Sequence, residues 1–149
     1  MFIRALLAFL ALPGVVAILV PIAAAWRGSH GQLKHPAGLA LLTAGCAALL
    51  WCVHDFYVSG KGTLAPWAPP TRLVTVGLYR YSRNPMYLAV FTMLLGWAVS
   101  FASPPLLVYA IAMAIAFELR VIYGEEPWLA RTHGADWKEY AARVPRWLW

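Results

Sequence analysis

The sequence predicts an all-α integral membrane protein, a bundle of about four transmembrane helices plus a C-terminal amphipathic cytoplasmic helix, without a Rossmann domain. Hydrophobic residues make up 62% of the 149 positions and charged residues only 12%. The mean hydropathy of +0.64 lies outside the range of ordinary soluble domains. Because the apolar residues are gathered into long runs, we expect a single membrane domain over residues 1–149.

Four apolar runs predict the four crossings, since about 20 residues at roughly 1.5 Å each span the hydrocarbon layer of a bilayer. They cover residues 5–26, 38–57, 86–102 and 106–123. The first run begins like a signal peptide but continues through Pro13 and Pro21 to Trp26, which favours a retained membrane anchor. Ser103-Pro104-Pro105 separates the last two runs and predicts a helical hairpin with an uncharged tip.

Two polar segments complete the predicted organisation. Residues 59–85 form the longest segment between crossings, and their glycines and prolines exclude a continuous helix. A long loop in so small a protein is usually functional, so we expect it to contribute to a binding site. In the tail, residues 124–149, Trp137, Tyr140, Ala141 and Val144 share one helical face. This spacing predicts an amphipathic helix that lies on the membrane or folds over the core.

The charge pattern predicts the orientation. The formal net charge of +6 is scattered between apolar runs and forms no continuous basic patch, so we expect no nucleic-acid partner. With the uncharged hairpin tip outside, every Lys and Arg except Arg27 and Lys34 lies on the cytoplasmic side, in line with the positive-inside tendency. Both termini are then cytoplasmic, and the loop and the tail share one membrane face.

The cysteines and histidines predict neither a disulfide nor a metal site. Cys46 and Cys52 lie six positions apart in one apolar run, on different helix faces, and cannot bridge each other. The four histidines show no repeated ligand spacing: His30, His35, His54 and His133. We expect packing and interfacial roles for all of these residues.

Two polar clusters are expected to meet on the cytoplasmic face. Residues 77–87 combine cations, hydroxyls and an amide just before a helix that begins at a proline, while Glu118, Glu125 and Glu126 lie at the end of the fourth run. Carboxylates, an arginine fork and tyrosines suit a zwitterionic ligand with a flat ring, and S-adenosylmethionine carries all the complementary groups. The alternative is that these charges are a solvated membrane boundary, although carboxylates near membrane depth, such as Glu118, tend to be paired or functional.

The segment Arg83-Asn84-Pro85-Met86-Tyr87 resembles the Arg-(His/Asn)-Pro-x-Tyr signature of the isoprenylcysteine carboxyl methyltransferase and phospholipid methyltransferase family. Tyr123-Gly124-Glu125-Glu126-Pro127 and Val144-Pro145-Arg146 resemble its C-terminal elements, and Gly62-Thr63 together with residues 73–79 fits bacterial members. The resemblance covers about residues 60–147. It implies a multi-pass methyltransferase, in a bacterial inner membrane, that uses S-adenosylmethionine.

The resemblance also implies the site residues. By position, the cofactor would be bound by Arg83, Asn84, Pro85, Tyr87, Glu125 and Glu126. We add Tyr79 as an aromatic contact to its ring or sulfonium. For the substrate we name Glu118 and Arg143, and no catalytic residue is assigned; Arg146 is a further candidate for an anionic acceptor or headgroup. Ala89 stands where many members have glycine, which would narrow the pocket, and His133 stands where phenylalanine is common.

The methyl acceptor is left open by the sequence. A membrane-embedded or amphiphilic molecule is expected, with an isoprenylcysteine-like carboxylate and a phospholipid amine as the main candidates. A small thiol or phenol is a further alternative. Two other functions are compatible with the same helical pattern. One is a membrane reductase that uses NADPH, and the other is a non-catalytic membrane subunit whose charges pair with a partner protein.

Overall fold

The computed structural model describes residues 10–29, 32–60 and 71–148. These residues form helices and turns without a strand or a Rossmann unit, so the all-α prediction is confirmed for the described part of the chain. The α-helices are α1 (Val20–Ser29), α2 (Ala37–Val58), α3 (Pro85–Ser100), α4 (Pro104–Arg120) and α5 (Glu126–Arg143). A π-helical segment, Leu10–Leu19, precedes α1, a second π segment, Val121–Glu125, joins α4 to α5, and a 3-10 turn spans Gly77–Arg80.

Two helical stretches among the described residues have the length and hydropathy of a membrane crossing, where the sequence predicts four. They are α2 and the continuous stretch Pro104–Arg143, whereas Gly14–Gly28 and α3 are apolar but shorter. The helix does not end at residue 123, where the sequence places the end of the fourth crossing, because the π segment carries it on into the polar tail. Residues 5–9 of the first predicted helix lie outside the described ranges.

The irregular N-terminal helix follows from Pro21. Proline has no N–H, so the carbonyls of Val16 and Ala17, which would accept from residue 21 in π and α register, lose that donor. The indole N–H of Trp97 donates to the Ala17 carbonyl at 2.8 Å, and the Tyr109 hydroxyl donates to that of Val16 at 3.2 Å. Side chains of α3 and α4 therefore hold the N-terminal helix against the hairpin.

Glycines allow α2 and α3 to pack at very short distance. A Cβ atom at Gly38 would lie 2.4 Å from the Ser100 backbone nitrogen, and one at Gly96 would lie 2.8 Å from the Leu42 backbone nitrogen. At Gly45 a Cβ would lie 2.8 Å from the Ala89 carbonyl oxygen. The two backbones are thus in contact along the helix pair, and the main buried cluster forms around Leu49, Ala89, Val90, Met93 and Leu94.

The tail helix α5 packs against the loop that precedes α3. Trp137, Tyr140 and Val144 are buried, and they pack with Leu73 of the loop and Leu129 of the same helix. The remaining residue of the predicted apolar face, Ala141, packs beside them. Gly134 has φ 50° and kinks α5, which separates the polar first turns from this buried half.

Candidate functional site

The C-terminal residues 144–148, here called the strap, are tied to the loop that precedes α3. The backbone N–H of Arg83 donates to the Pro145 carbonyl at 2.9 Å. The Ser82 hydroxyl and the Asn84 side-chain amide both donate to the Arg146 carbonyl, each at 3.1 Å. Ser82 is only 1% exposed, so its hydroxyl is shielded from solvent. The strap is thereby a fixed part of the site.

Below the junction, two guanidinium groups and two carboxylates form a paired charge cluster. Arg146 binds Glu126 through two parallel hydrogen bonds, Nε to Oε1 at 3.0 Å and Nη2 to Oε2 at 2.8 Å. Arg83 Nη1 lies 3.0 Å from Glu126 Oε1, and Arg146 Nη1 lies 3.3 Å from Glu118 Oε1. The second oxygen of Glu118 accepts from the Trp147 indole at 2.6 Å. Hydrogen bonding to Glu126 raises the pKa of Arg146, so its guanidinium stays charged.

A second charged group lies one residue away, around Glu125. Its Oε1 accepts from the Tyr87 hydroxyl and from Arg120 Nε, the latter at 2.9 Å, and Arg120 Nε also lies 3.0 Å from the Tyr87 oxygen. Arg120 and Glu125 are five residues apart, a spacing that an ordinary α-helix places on different faces. The π segment Val121–Glu125 supplies the wider turn that brings them together.

The Arg83 side chain connects the charge cluster to the aromatic face of the tail. Its guanidinium carbon lies 5.5 Å from the centre of the Trp137 ring, within the range of a cation–π contact. The side chain is 15% exposed, and its Nε is buried without a hydrogen-bond partner among the described residues. A buried guanidinium donor without an acceptor is a position where a bound anion is favourable.

Tyr79 lies behind this site and faces the opposite way. Its ring is 5% exposed and packs on Phe56, with ring centres 5.6 Å apart. Burial raises the pKa of its hydroxyl well above the ordinary value. The backbone carbonyl of Tyr79 accepts from the Tyr140 hydroxyl at 2.7 Å. Tyr79 therefore contributes to the site by anchoring α5 through its main chain.

An apolar groove of about 290 Å³ lies between α2 and α3, on the other side of the same loop. Small residues of α2 form one wall, and the other is formed by the turn before α3 and the first turns of α3. The lining includes Ala44, Gly45, Ala48, Ser82, Pro85 and Ala89, and Leu148 of the strap lies at its edge. The alanine that replaces the family's glycine, Ala89, is thus a groove residue.

The structure brings most of the predicted site residues together. Arg83, Asn84 and Glu126 meet at the strap with Glu118, while Tyr87 and Glu125 pair beside them. Pro85 starts α3 between the charge cluster and the groove.

Arg143 is placed elsewhere. It pairs with Glu139 at 3.2 Å on the surface of α5, where both side chains are about 70% exposed, so the structure offers no contact between Arg143 and the site.

Sequence reasoning missed three contributors. Arg120 pairs with Glu125, five residues further along the chain, which no α-helical spacing rule would have found. The sequence predicted Arg146 only as a contact for an anionic acceptor or headgroup, and no pattern in it indicated a role for Trp147. In the sequence, the strap was indicated only by the resemblance of Val144-Pro145-Arg146 to the family's C-terminal element.

Together, these features define an all-helical protein with apolar, membrane-length helices, whose charged site adjoins an apolar groove. The chain belongs to the phospholipid methyltransferase family: the model of that family matches residues 33–136. This confirms the resemblance seen in the sequence and indicates a methyltransferase that acts on a lipid-like substrate in a membrane. Neither a curated protein nor a solved structure matches the chain.

Proposed function

We propose that the protein is a multi-pass membrane methyltransferase that transfers a methyl group from S-adenosylmethionine to an amphiphilic acceptor. The observation that carries this proposal is the two-sided character of residues 82–89. Arg83 and Tyr87 face the charged groups of the tail, whereas Ser82 and Pro85 line the apolar groove. One short segment thus separates a polar ligand site from a site suited to an apolar chain.

The free hydrogen-bonding groups fit a zwitterionic cofactor. Glu125 Oε2 has no hydrogen-bond partner among the described residues, and Arg83 Nε is a buried donor without an acceptor. An ammonium or ribose hydroxyl would satisfy the carboxylate, and a carboxylate would satisfy the guanidinium. We propose Glu125 and Arg83 as the direct contacts, with Tyr87 and Asn84 holding them in place.

The cofactor, when bound, supplies an activated methyl group on a sulfonium. With that group supplied, the task of Arg83, Glu125 and the groove residues would be to align donor and acceptor and to exclude water. Ser82, just before α3, and Pro85, its first residue, lie between the two sites. The acceptor's polar end would therefore meet the cofactor near this point, and its chain would lie along Ala44, Ala48 and Ala89.

Calorimetry on the detergent-purified protein tests the proposal, with S-adenosylmethionine and S-adenosylhomocysteine as ligands. Glu125→Gln is expected to weaken binding by about tenfold to a hundredfold, the usual worth of a hydrogen bond to a charged group. The matched control is Glu139→Gln, because that carboxylate is 71% exposed and lies on the surface of α5. A folded wild-type protein that binds NADPH but neither sulfonium nor thioether ligand would refute the proposal in favour of a reductase.

A further inference from the structure

Glu125 and Glu126 are adjacent in sequence but have different roles in the structure. Glu126 accepts two hydrogen bonds from Arg146 and pairs with Arg83, so both of its oxygens are engaged by the protein. Glu125 is engaged through Oε1 alone, and its side chain is 34% exposed compared with 18% for Glu126. Only one of the two neighbouring carboxylates is therefore open to a ligand.

Arg146, the partner of Glu126, is held in place by hydrogen bonds to its backbone. The Arg146 carbonyl accepts from Ser82 and Asn84, and the preceding carbonyl accepts from the backbone of Arg83. The guanidinium of Arg146 then bridges Glu126 at the start of α5 and Glu118 in the last turn of α4. Arg146 thus connects three elements that surround the site: the loop before α3, the end of α4 and the start of α5.

The strap also forms part of the second site. Leu148, two residues beyond Arg146, lies at the edge of the apolar groove, and Trp147 between them donates to Glu118. These residues lie beyond the matched range of the family, which ends at residue 136.

We propose that Arg146 is a positioning residue: by binding Glu126 and Glu118 it seats the strap, fixes Arg83 and the start of α5, and leaves Glu125 as the carboxylate that contacts the ligand. This inference rests on the proposed function. It assigns Glu126 an indirect role, in contrast to the direct cofactor contact that the family resemblance implies for both carboxylates.

A double-mutant cycle on S-adenosylhomocysteine binding tests the assignment. Arg146→Gln and Glu126→Gln should each raise Kd by about tenfold or more, as loss of a supporting residue commonly does. The double variant should be no worse than the weaker-binding single variant, because both changes remove the same contact. Arg146→Lys should recover part of the affinity, since a lysine keeps the charge but cannot form both parallel bonds. The matched control is Arg131→Gln, whose side chain is exposed and donates only to the Pro127 carbonyl of its own helix.

A spectroscopic signal distinguishes positioning from general loss of stability. In protein labelled with 5-fluorotryptophan, the Trp147 resonance is identified by its absence in Trp147→Phe. Arg146→Gln should shift this resonance without ligand, because the indole bond to Glu118 depends on the seated strap. The resonances of Trp51 in α2 and Trp97 in α3 should stay in place.

The outcomes separate the two proposals. If the wild type binds S-adenosylhomocysteine and Arg146→Gln binds it with the same Kd, the positioning role is overturned and the proposed function stands. Additive effects of the two substitutions in the double variant would have the same consequence. A folded wild-type protein that does not bind S-adenosylhomocysteine would overturn the proposed function and this inference together.

Discussion

Gly38→Ala tests the close contact of α2 with α3. A Cβ at this position would lie 2.3 Å from Ser100 Oγ, 2.4 Å from the Ser100 nitrogen and 2.6 Å from the Gly96 carbonyl oxygen. Ordinary contacts of this kind begin near 3.4 Å, so each overlap is close to an ångström and two of them involve backbone atoms. The side chain cannot be accommodated by a rotamer change, and the two helices must separate.

The expected loss of stability follows from two opposing terms. Overpacking of this kind costs about 1–3 kcal/mol, and alanine returns up to about 1 kcal/mol through its higher helix propensity. We therefore expect the free energy of unfolding to fall by about 1–2 kcal/mol. Unfolding of the purified protein in mixed micelles, followed by circular dichroism during titration with a denaturing detergent, measures this change.

Two further variants make the result specific. Gly28→Ala is the matched control, because a Cβ there meets nothing within 4 Å, and its stability should be unchanged or slightly higher. Adding Ser100→Gly to Gly38→Ala removes only the hydroxyl contact, so it should restore little. If Gly38→Ala is as stable as the wild type, the helices are not in backbone contact and the argument is wrong.

Two other predictions concern the loop and the tail. Gly77 has φ +58°, and a Cβ there would lie 2.0 Å from Asp55 Oδ2, so Gly77→Ala should lower the free energy of unfolding by about 1–3 kcal/mol. The same unfolding assay checks it, and equal stability would contradict the assigned backbone strain. Burial raises the pKa of the Tyr79 and Tyr140 hydroxyls. The unfolded chain therefore releases protons above about pH 10 that the folded chain keeps, and stability should be full below that pH and fall above it. Thermal unfolding between about pH 8 and 11 measures the decline, which should be shallower in Tyr140→Phe; an identical slope would refute the assignment.

The helical class was predictable because its signals are local. Apolar runs long enough to cross a membrane, prolines at helix starts and a loop rich in glycine and proline all act within a few residues. Pro85 and Pro104 do begin their helices. The number of crossings was less secure, since α3 has 16 residues, fewer than the about 20 that span the hydrocarbon layer.

The site was predictable only as far as helix order and orientation determine it. Placing residues 77–87 and the Glu pair on one membrane face was enough to bring Arg83 and Glu126 together. The pairing of Arg120 with Glu125 depends on a change of helical period, which apolar spacing does not reveal. The burial of Tyr79 depends on Phe56 and Tyr140, residues far apart in the chain whose contacts no local pattern encodes.

The π segment between α4 and α5 has a consequence for how this region tolerates mutation. Tyr123 and Gly124 are exposed, and a side chain added at Gly124 would meet nothing within 4 Å, so the identity of these residues is weakly constrained. Their number is strongly constrained. Each residue of an α-helix turns the chain by about 100°, so an insertion or deletion here would rotate Glu126 and the whole of α5 away from Arg83 and the strap. Natural variation at Tyr123 and Gly124 should therefore preserve length while these two side chains change freely.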